Sequence, residues 1–135
     1  MFAAMKRAES VLPKWWPTET AVELIEQADA IAKRCEALRI RMGGRKPTRH
    51  ELLLRNAEGK ELNGRWIYAE SKRIEITLIS VKGKLASLAI RKDKGISQSV
   101  DEAALIVREA DRLKRITEQI VDLEGFKDVV PPQRQ

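Results

Sequence analysis

The sequence has very few of the residues that build disulfide frameworks and metal centres. Among its 135 residues there is one cysteine, Cys35, and one histidine, His50. No disulfide can form within the chain, and no cluster of cysteine and histidine is present to hold zinc. No run approaches the roughly 20 consecutive apolar residues of a membrane-spanning helix. We therefore expect a cytoplasmic protein with no cofactor and no metal ion.

Glycine, proline and aromatic residues are also scarce. The chain has seven glycines, five prolines and 4% aromatic residues, against 43% hydrophobic and 34% charged residues. This composition suits long amphipathic helices, in which one stripe is buried and the other faces are in water. The few breaks fall at Pro13 and Pro17, between Gly43 and Pro47, at Gly95 and at Gly125. They divide the chain into an N-terminal arm (1–17), a helical bundle domain (18–125) and a C-terminal tail (126–135).

Capping patterns and apolar seams predict three long helices. The first runs from Thr18 or Thr20 to Met42, the second from Thr48 to Lys92, and the third from Val100 to Glu124. Each begins with a threonine or serine followed three residues later by a glutamate, which is the capping-box pattern. Two glycines between residues 58 and 64 weaken the second helix by about 1 kcal/mol each, so a kink or break is expected there. The predicted fold is all-α, an elongated antiparallel bundle of about three long helices with a short N-terminal arm.

The middle of the second helix admits another interpretation. From Arg73 to Val81 the residues alternate and are rich in β-branched types, and Gly83 between two lysines could turn a hairpin. One heptad seam nevertheless continues through Gly83 without a change of phase, whereas a hairpin would reset the phase. The seam residues are Ile67, Ile74, Leu78, Val81, Leu85 and Leu88. We favour the helix and leave the hairpin open.

Positive charge is concentrated at the two links between the predicted helices. The net charge is +6, and the segment from Lys33 to Arg55 alone carries the same net charge. From Lys82 to Lys94 there are five bases and one acid, whereas the third helix is net acidic. A basic surface favours an anionic partner, above all nucleic-acid phosphate, although a solvated basic tip without a partner is the alternative. The candidate nucleic-acid-binding residues are Arg39, Arg41, Arg45, Lys46, Arg49, Arg55, Arg73, Lys84 and Arg91.

Two adjacent tryptophans, Trp15 and Trp16, stand between Pro13 and Pro17. Because both rings cannot point into one helix seam, we expect them to bind a protein partner, since tryptophan is enriched in binding hot spots. The alternative is that one ring caps the bundle and the other lies on the surface. The three seams are also longer than one thin bundle can cover, which predicts self-association or another protein partner.

The sequence contains no motif that indicates catalysis. Gly43 to Thr48 has the composition of a phosphate-binding loop without its spacing or its preceding strand. Cys35 lies on an apolar seam, where a thiol is structural. Arg45 and His50 have four residues between them, a spacing that resembles the Arg-x4-6-His motif of the helical HEPN ribonucleases. In that family the pair lies on a helix inside the site, whereas here Pro47 intervenes, and we interpret His50 as a residue of a helix-capping region.

These observations predict a non-catalytic small helical subunit of a nucleoprotein assembly that contacts nucleic-acid backbone through its basic links. In size, charge and helicity the chain looks like the small helical subunits of CRISPR effector complexes. The alternative is a helical scaffold or adaptor that binds other protein subunits, in a homo- or hetero-oligomer, without nucleic acid.

Overall fold

Three helices make up most of the structure, a computed structural model that describes residues 14–42, 52–90 and 96–131. The helices are α1 (Ala21–Arg41), α2 (Gly64–Ile90) and α3 (Ile96–Glu124). Short strands accompany them: β1 (Leu53–Arg55), β2 (Glu61–Asn63) and β3 (Asp128–Val129). The prediction of a mostly helical chain is therefore confirmed. None of the helices described is long and apolar enough to cross a membrane.

The predicted start of the first helix is confirmed in detail. Thr20 is extended, and its side-chain oxygen accepts a hydrogen bond of 3.2 Å from the backbone N–H of Glu23. This bond satisfies one of the backbone donors that the first turn of a helix leaves without a partner. The apolar seam that follows is buried, with Leu24, Ala28 and Cys35 fully inaccessible to solvent.

The β-branched segment of the second helix is helical. Helix α2 passes through Gly83 without interruption, so the hairpin interpretation of residues 73–84 is wrong. The predicted seam supplies much of the protein's core, because Ile67, Leu78, Val81 and Leu85 are fully buried. Continuity of phase was therefore the better guide to this segment than the β-propensity of its residues.

The expectation of an exclusively helical chain is wrong between residues 53 and 63. Strands β1 and β2 form an antiparallel hairpin there, with Leu54 opposite Leu62. Its turn is stabilised by Asn56, whose side-chain oxygen accepts hydrogen bonds from the backbone N–H groups of Glu58 (3.1 Å) and Lys60 (2.9 Å). Gly59 takes a left-handed conformation with φ of 86°, which other residues rarely adopt. These local bonds favour the turn over a helix at these residues.

Residues assigned by sequence to the C-terminal tail pack against the helices. Strand β3 adds to β1, with Val129 opposite Leu54, and gives the sheet the order β2-β1-β3. Phe126 is 2% exposed and belongs to the hydrophobic core. Its carbonyl accepts a hydrogen bond of 3.1 Å from the guanidinium of Arg41 at the end of α1.

Contacts between the helices fix their directions. Early α2 lies beside late α1, where Glu75 contacts Arg39, and late α2 lies beside the middle of α1, where Lys82 contacts Asp29. Lys84 of late α2 lies beside Glu109 in the middle of α3, and Ile74 of early α2 lines a cleft with Ile116 of late α3. Helix α2 therefore runs opposite to both α1 and α3.

Candidate nucleic-acid interface

A polar groove runs between α2 and α3 on the surface of the protein. Its α2 wall is the polar stripe of Arg73, Thr77, Ser80 and Lys84, which recurs at steps of four and three residues. Because such residues lie on one face of a helix, the stripe stays together beside the buried seam. Part of this groove is a cleft of about 370 Å³, lined by residues of both helices.

The opposite wall of this α2–α3 groove is a stripe of arginines on α3. Arg108, Arg112 and Arg115 follow one another at steps of four and three residues, and Gln119 continues the stripe. Arg112, Arg115 and Gln119 line the same cleft as Arg73. The third helix is net acidic as a whole, but three of its four bases share this one face.

A fully buried carboxylate lies beneath the groove. Glu109 is 0% exposed, and both its oxygens accept from Arg112, at 3.1 and 3.4 Å. The ammonium of Lys84 lies 3.8 Å from the same carboxylate. A buried charge needs such partners, because an unpaired one costs several kcal/mol. Glu109 therefore holds Lys84 and Arg112 at the groove, one from each wall.

Positive charge predominates along the groove. The cleft is lined by three cations, Arg73, Arg112 and Arg115, and by one carboxylate, Glu70. Lys84 and Arg108 continue the stripes of α2 and α3 beyond the cleft. The side chain of Arg73 contacts Glu70 and is still 73% exposed, and that of Lys84 is 50% exposed. From Arg73 to Lys84 the helix rises by about 17 Å at 1.5 Å per residue. The groove is thus an elongated cationic surface with accessible guanidinium and ammonium groups.

Three of the residues predicted to bind nucleic acid lie away from this groove. Arg39 is 8% exposed, because its guanidinium contacts Glu75 between α1 and α2, and it presents little surface to a ligand. Arg41 is exposed and bonded to the carbonyl of Phe126. Arg55 lies on β1 and pairs with Glu61 of β2 at 2.8 Å.

Four other predicted residues, Arg45, Lys46, Arg49 and Arg91, lie outside the described residues, as does His50. Of the nine predicted positions, the structure brings together Arg73 and Lys84. It adds three residues that sequence reasoning did not select, Arg108, Arg112 and Arg115. Their alternation of four and three along a helix was the pattern that could have identified them.

The two tryptophans lie in the turn before α1, and their ring centroids are 5.8 Å apart with the planes tilted by 37°. Trp15 is 46% exposed. Trp16 is partly buried and lines a cleft of about 410 Å³ beside Leu88 of α2 and Ala103 of α3. One ring thus borders the ends of the helices and the other faces solvent, at the far end of the molecule from the sheet.

Cys35 is a buried free thiol, and no metal-binding group is found among the residues that the structure describes. Burial raises the pKa of the Cys35 thiol to about 11, and the negative charge of Glu75 adds to the effect, so the thiol is neutral at physiological pH. Within the described ranges, no group of three or more histidine, cysteine, aspartate or glutamate residues is placed to hold a metal ion.

Comparisons with protein-family models, with curated proteins and with solved structures found no match.

Proposed function

We propose that the protein is a non-catalytic nucleic-acid-binding subunit, in which an elongated antiparallel bundle of three helices presents a cationic groove to the phosphate backbone. The observation that carries this proposal is the convergence of Arg73 on α2 with Arg112 and Arg115 on α3 at one cleft. Guanidinium groups donate paired hydrogen bonds to phosphate oxygens. Several guanidinium groups along one line can therefore contact successive phosphates of a nucleic-acid strand.

The dimensions of the groove suit a backbone ligand. A length of about 17 Å corresponds to about five phosphates at 3.4 Å of rise per nucleotide along one strand of B-form DNA. No aromatic side chain lines the described cleft between Arg73 and Arg115. Binding through such a groove is expected to depend weakly on sequence and strongly on salt, because phosphate contacts release counterions and read no base.

The basic link around Arg45, Lys46 and Arg49 extends the proposal. Sequence places this link directly after α1 and before β1, and it lies outside the described residues. Its arginines and lysine are expected to add further phosphate contacts.

A scaffold or adaptor is the second candidate function, and one observation favours it. Helix α2 exposes Ile76 and Ile79 at 67% and 63% on the side away from the core. Neighbouring exposed isoleucines on one helix face are typical of protein-binding surfaces. The two functions are compatible, because the apolar face and the cationic groove are different sides of α2.

Fluorescence anisotropy with labelled single- and double-stranded DNA and RNA, at two salt concentrations, tests the groove. Arg73→Gln with Arg115→Gln is expected to weaken binding by at least about ten-fold at low salt. The slope of log affinity against log salt should become shallower by about 1.4 to 1.8, because each lost phosphate contact contributes about 0.7 to 0.9.

Lys33→Gln with Lys114→Gln is the matched control. It removes the same charge from exposed positions of α1 and α3 that lie outside the groove, and Lys114 is the direct neighbour of Arg115. Equal effects of the two double variants would show that binding depends on net charge rather than on the groove. Loss of binding only in Arg45→Glu, Lys46→Glu, Arg49→Glu would assign it to the link. No binding of any nucleic acid at low salt would favour the scaffold.

A further inference from the structure

Helix α2 carries a second heptad seam on the side that faces solvent. This outer seam consists of Ala69, Lys72, Ile76, Ile79, Gly83 and Ala86, which alternate at steps of three and four residues. All six positions are exposed, and a Cβ built at Gly83 would meet no atom within 4 Å. Alternation of this kind is the pattern by which one helix packs along another.

The outer seam lies opposite the core. At 100° per residue, its centre is turned by about half a circle from the buried seam of Ile67, Ile74, Leu78 and Leu85. A helix that is apolar on two opposite faces is typically covered on both. Among the described residues, α1 and α3 contact the buried seam and its flanks, and the outer seam stays exposed.

We propose that the outer seam binds a second copy of this chain, with the two α2 helices packed antiparallel about a two-fold axis between Ile76 and Ile79. The seam is self-complementary in that arrangement, because the order of its three- and four-residue steps is the same from either end. Ile76 meets Ile79 of the second copy, and Ala69 meets Ala86. An isologous dimer requires a surface patch that fits itself in this way.

Side-chain size supports the same arrangement. Lys72, the one long charged residue of the outer seam, faces Gly83 of the second copy, where open space accommodates its aliphatic stem. The alanines at both ends of the seam allow the two backbones to approach closely. A parallel dimer would instead place Lys72 beside its own copy.

Charge on the flank of the seam selects the antiparallel direction as well. Glu75 and Lys82 lie on the flank next to α1, with side chains 33% and 32% exposed. In the antiparallel dimer, Glu75 of each copy lies near Lys82 of the other. In a parallel dimer, this flank would instead face the opposite flank of the second copy, which carries Arg73 and Ser80, and the pairing of Glu75 with Lys82 would be lost. Opposite charges across an interface fix its direction.

The dimer has a consequence for nucleic-acid binding, and this part alone rests on the proposed function. A two-fold axis perpendicular to two antiparallel helices keeps the same flank of each helix on the same side. Both α2–α3 grooves therefore lie on one face of the dimer. Two grooves on one face double the cationic surface that a single strand or duplex meets.

Sedimentation equilibrium of the full chain without nucleic acid tests the dimer. Between about 1 and 100 μM we expect a reversible change towards twice the 15.4 kDa of the monomer. Ile76→Ser with Ile79→Ser should raise the dissociation constant at least about 100-fold, with an unchanged helical circular dichroism spectrum. Val22→Ser with Ile40→Ser is the control, because these side chains are exposed to a similar degree, 53% and 63%, on α1.

Disulfide cross-linking tests the direction. A mixture of the Lys72→Cys and Gly83→Cys proteins should form the mixed disulfide on mild oxidation, and each protein alone should cross-link at least about ten-fold more slowly. A parallel dimer would show the reverse. Three results overturn the proposal: a monomer throughout the concentration range, an oligomer that the outer-seam variant leaves intact, or faster cross-linking within each single-cysteine protein. A partner of different sequence on this surface would give the first result.

Discussion

Along α2, the buried seam from Ile67 to Leu88 and the outer seam from Ala69 to Ala86 follow the same alternation of three and four residues. The buried seam has large aliphatic residues at nearly every position, with Ser71 as its polar exception, and Ser71 bonds to the carbonyl of Tyr68 at 2.7 Å. The outer seam has two isoleucines, two alanines, one glycine and one lysine. Spacing identifies both faces, whereas side-chain volume separates the face that folds the chain from the face that is left exposed.

Helix α2 is the central element of the molecule because each of its faces has a different neighbour or role. Its buried seam contacts α1 and α3, one flank joins α1 through Glu75 and Lys82, and the other flank joins α3 through Lys84. The outer seam is the remaining face. A single helix therefore connects the core, the cationic groove and the proposed dimer surface.

The largest difference in stability between the two seams is expected when aspartate replaces Leu78 of the buried seam or its neighbour Ile79 of the outer seam. Leu78→Asp places a charge where the side chain is 0% exposed, which should cost more than about 4 kcal/mol and unfold the protein. Ile79→Asp changes a side chain that is 63% exposed, so the free energy of unfolding of the monomer should fall by less than about 1 kcal/mol. Urea unfolding followed by circular dichroism measures both. Unfolding of both variants would contradict the assignment of the outer seam to solvent.

The three helices were predictable from sequence because their determinants are local, but two of their starts were predicted wrongly: α2 begins at Gly64 and not at Thr48, and α3 begins at Ile96 and not at Val100. The capping bond from Glu23 to Thr20 spans three residues, and the phase of the α2 seam is visible within a few turns. The hairpin at residues 53–63 was missed because some of the contacts that stabilise it are not local. Leu54 is buried against the helices, and β1 pairs with Val129, which is far along the chain. The local pattern that could have indicated it is Asn56 followed three residues later by Gly59.

The candidate site was predictable only in part. The polar stripe containing Arg73 and Lys84 follows from helical periodicity, but its facing wall depends on how α2 and α3 align. Arg39 was selected wrongly for the same reason. Its position in a basic segment indicated an accessible cation, whereas the alignment of α1 with α2 brings it to Glu75 and buries it. The number of charges in one segment does not show which residues of another helix those charges will contact.

The second-largest difference between the two seams is expected in the rate at which a thiol on each seam reacts. In Ile79→Cys, one molecule carries an introduced thiol on the outer seam and the natural Cys35, which is 0% exposed. Burial raises the pKa of Cys35 from 9.0 to about 11, so its thiolate fraction near neutral pH is about 100-fold smaller than that of an unperturbed thiol. Mass spectrometry after iodoacetamide treatment of dilute protein should show the introduced thiol alkylated at least about 100-fold faster than Cys35. In guanidinium the two rates should converge, and equal rates in the native protein would refute the prediction.

The two glycines of α2 offer a smaller contrast. A Cβ at Gly64 would lie 2.8 Å from Cδ2, 3.1 Å from Cγ and 3.4 Å from the carbonyl oxygen of Leu52. The backbone N–H of Gly64 donates to that same oxygen at 2.8 Å, which limits how far the two residues can separate, so Gly64→Ala should destabilise the protein by about 1 kcal/mol. At Gly83 the space is open, and Gly83→Ala should stabilise the helix by up to about 1 kcal/mol through propensity. Melting temperatures should therefore move in opposite directions. A shift of the same sign in both variants would contradict the difference in packing.

The smallest effect is expected at the edge of the buried side, where Arg34 of α1 contacts Glu124 of α3 through Nε (3.0 Å) and Nη2 (2.5 Å). The side chains are 38% and 30% exposed, so Arg34→Gln should cost only about 0.5 kcal/mol near neutral pH. The hydrogen bond from Arg34 lowers the pKa of Glu124 below its usual 4.5. A carboxylate whose pKa is lower in the folded protein stabilises it above the unfolded pKa, and this contribution is lost as pH falls through the folded pKa.

The stability difference between the natural protein and Arg34→Gln should therefore be constant above about pH 5 and should shrink steadily below pH 4.5. Urea unfolding at a series of acidic pH values measures it. Lys33→Gln is the control, because it removes a neighbouring cation that is exposed and lies outside this contact. If the difference for Arg34→Gln persisted unchanged in acid, the contact would stabilise the protein through packing of the arginine stem and not through the charge of Glu124.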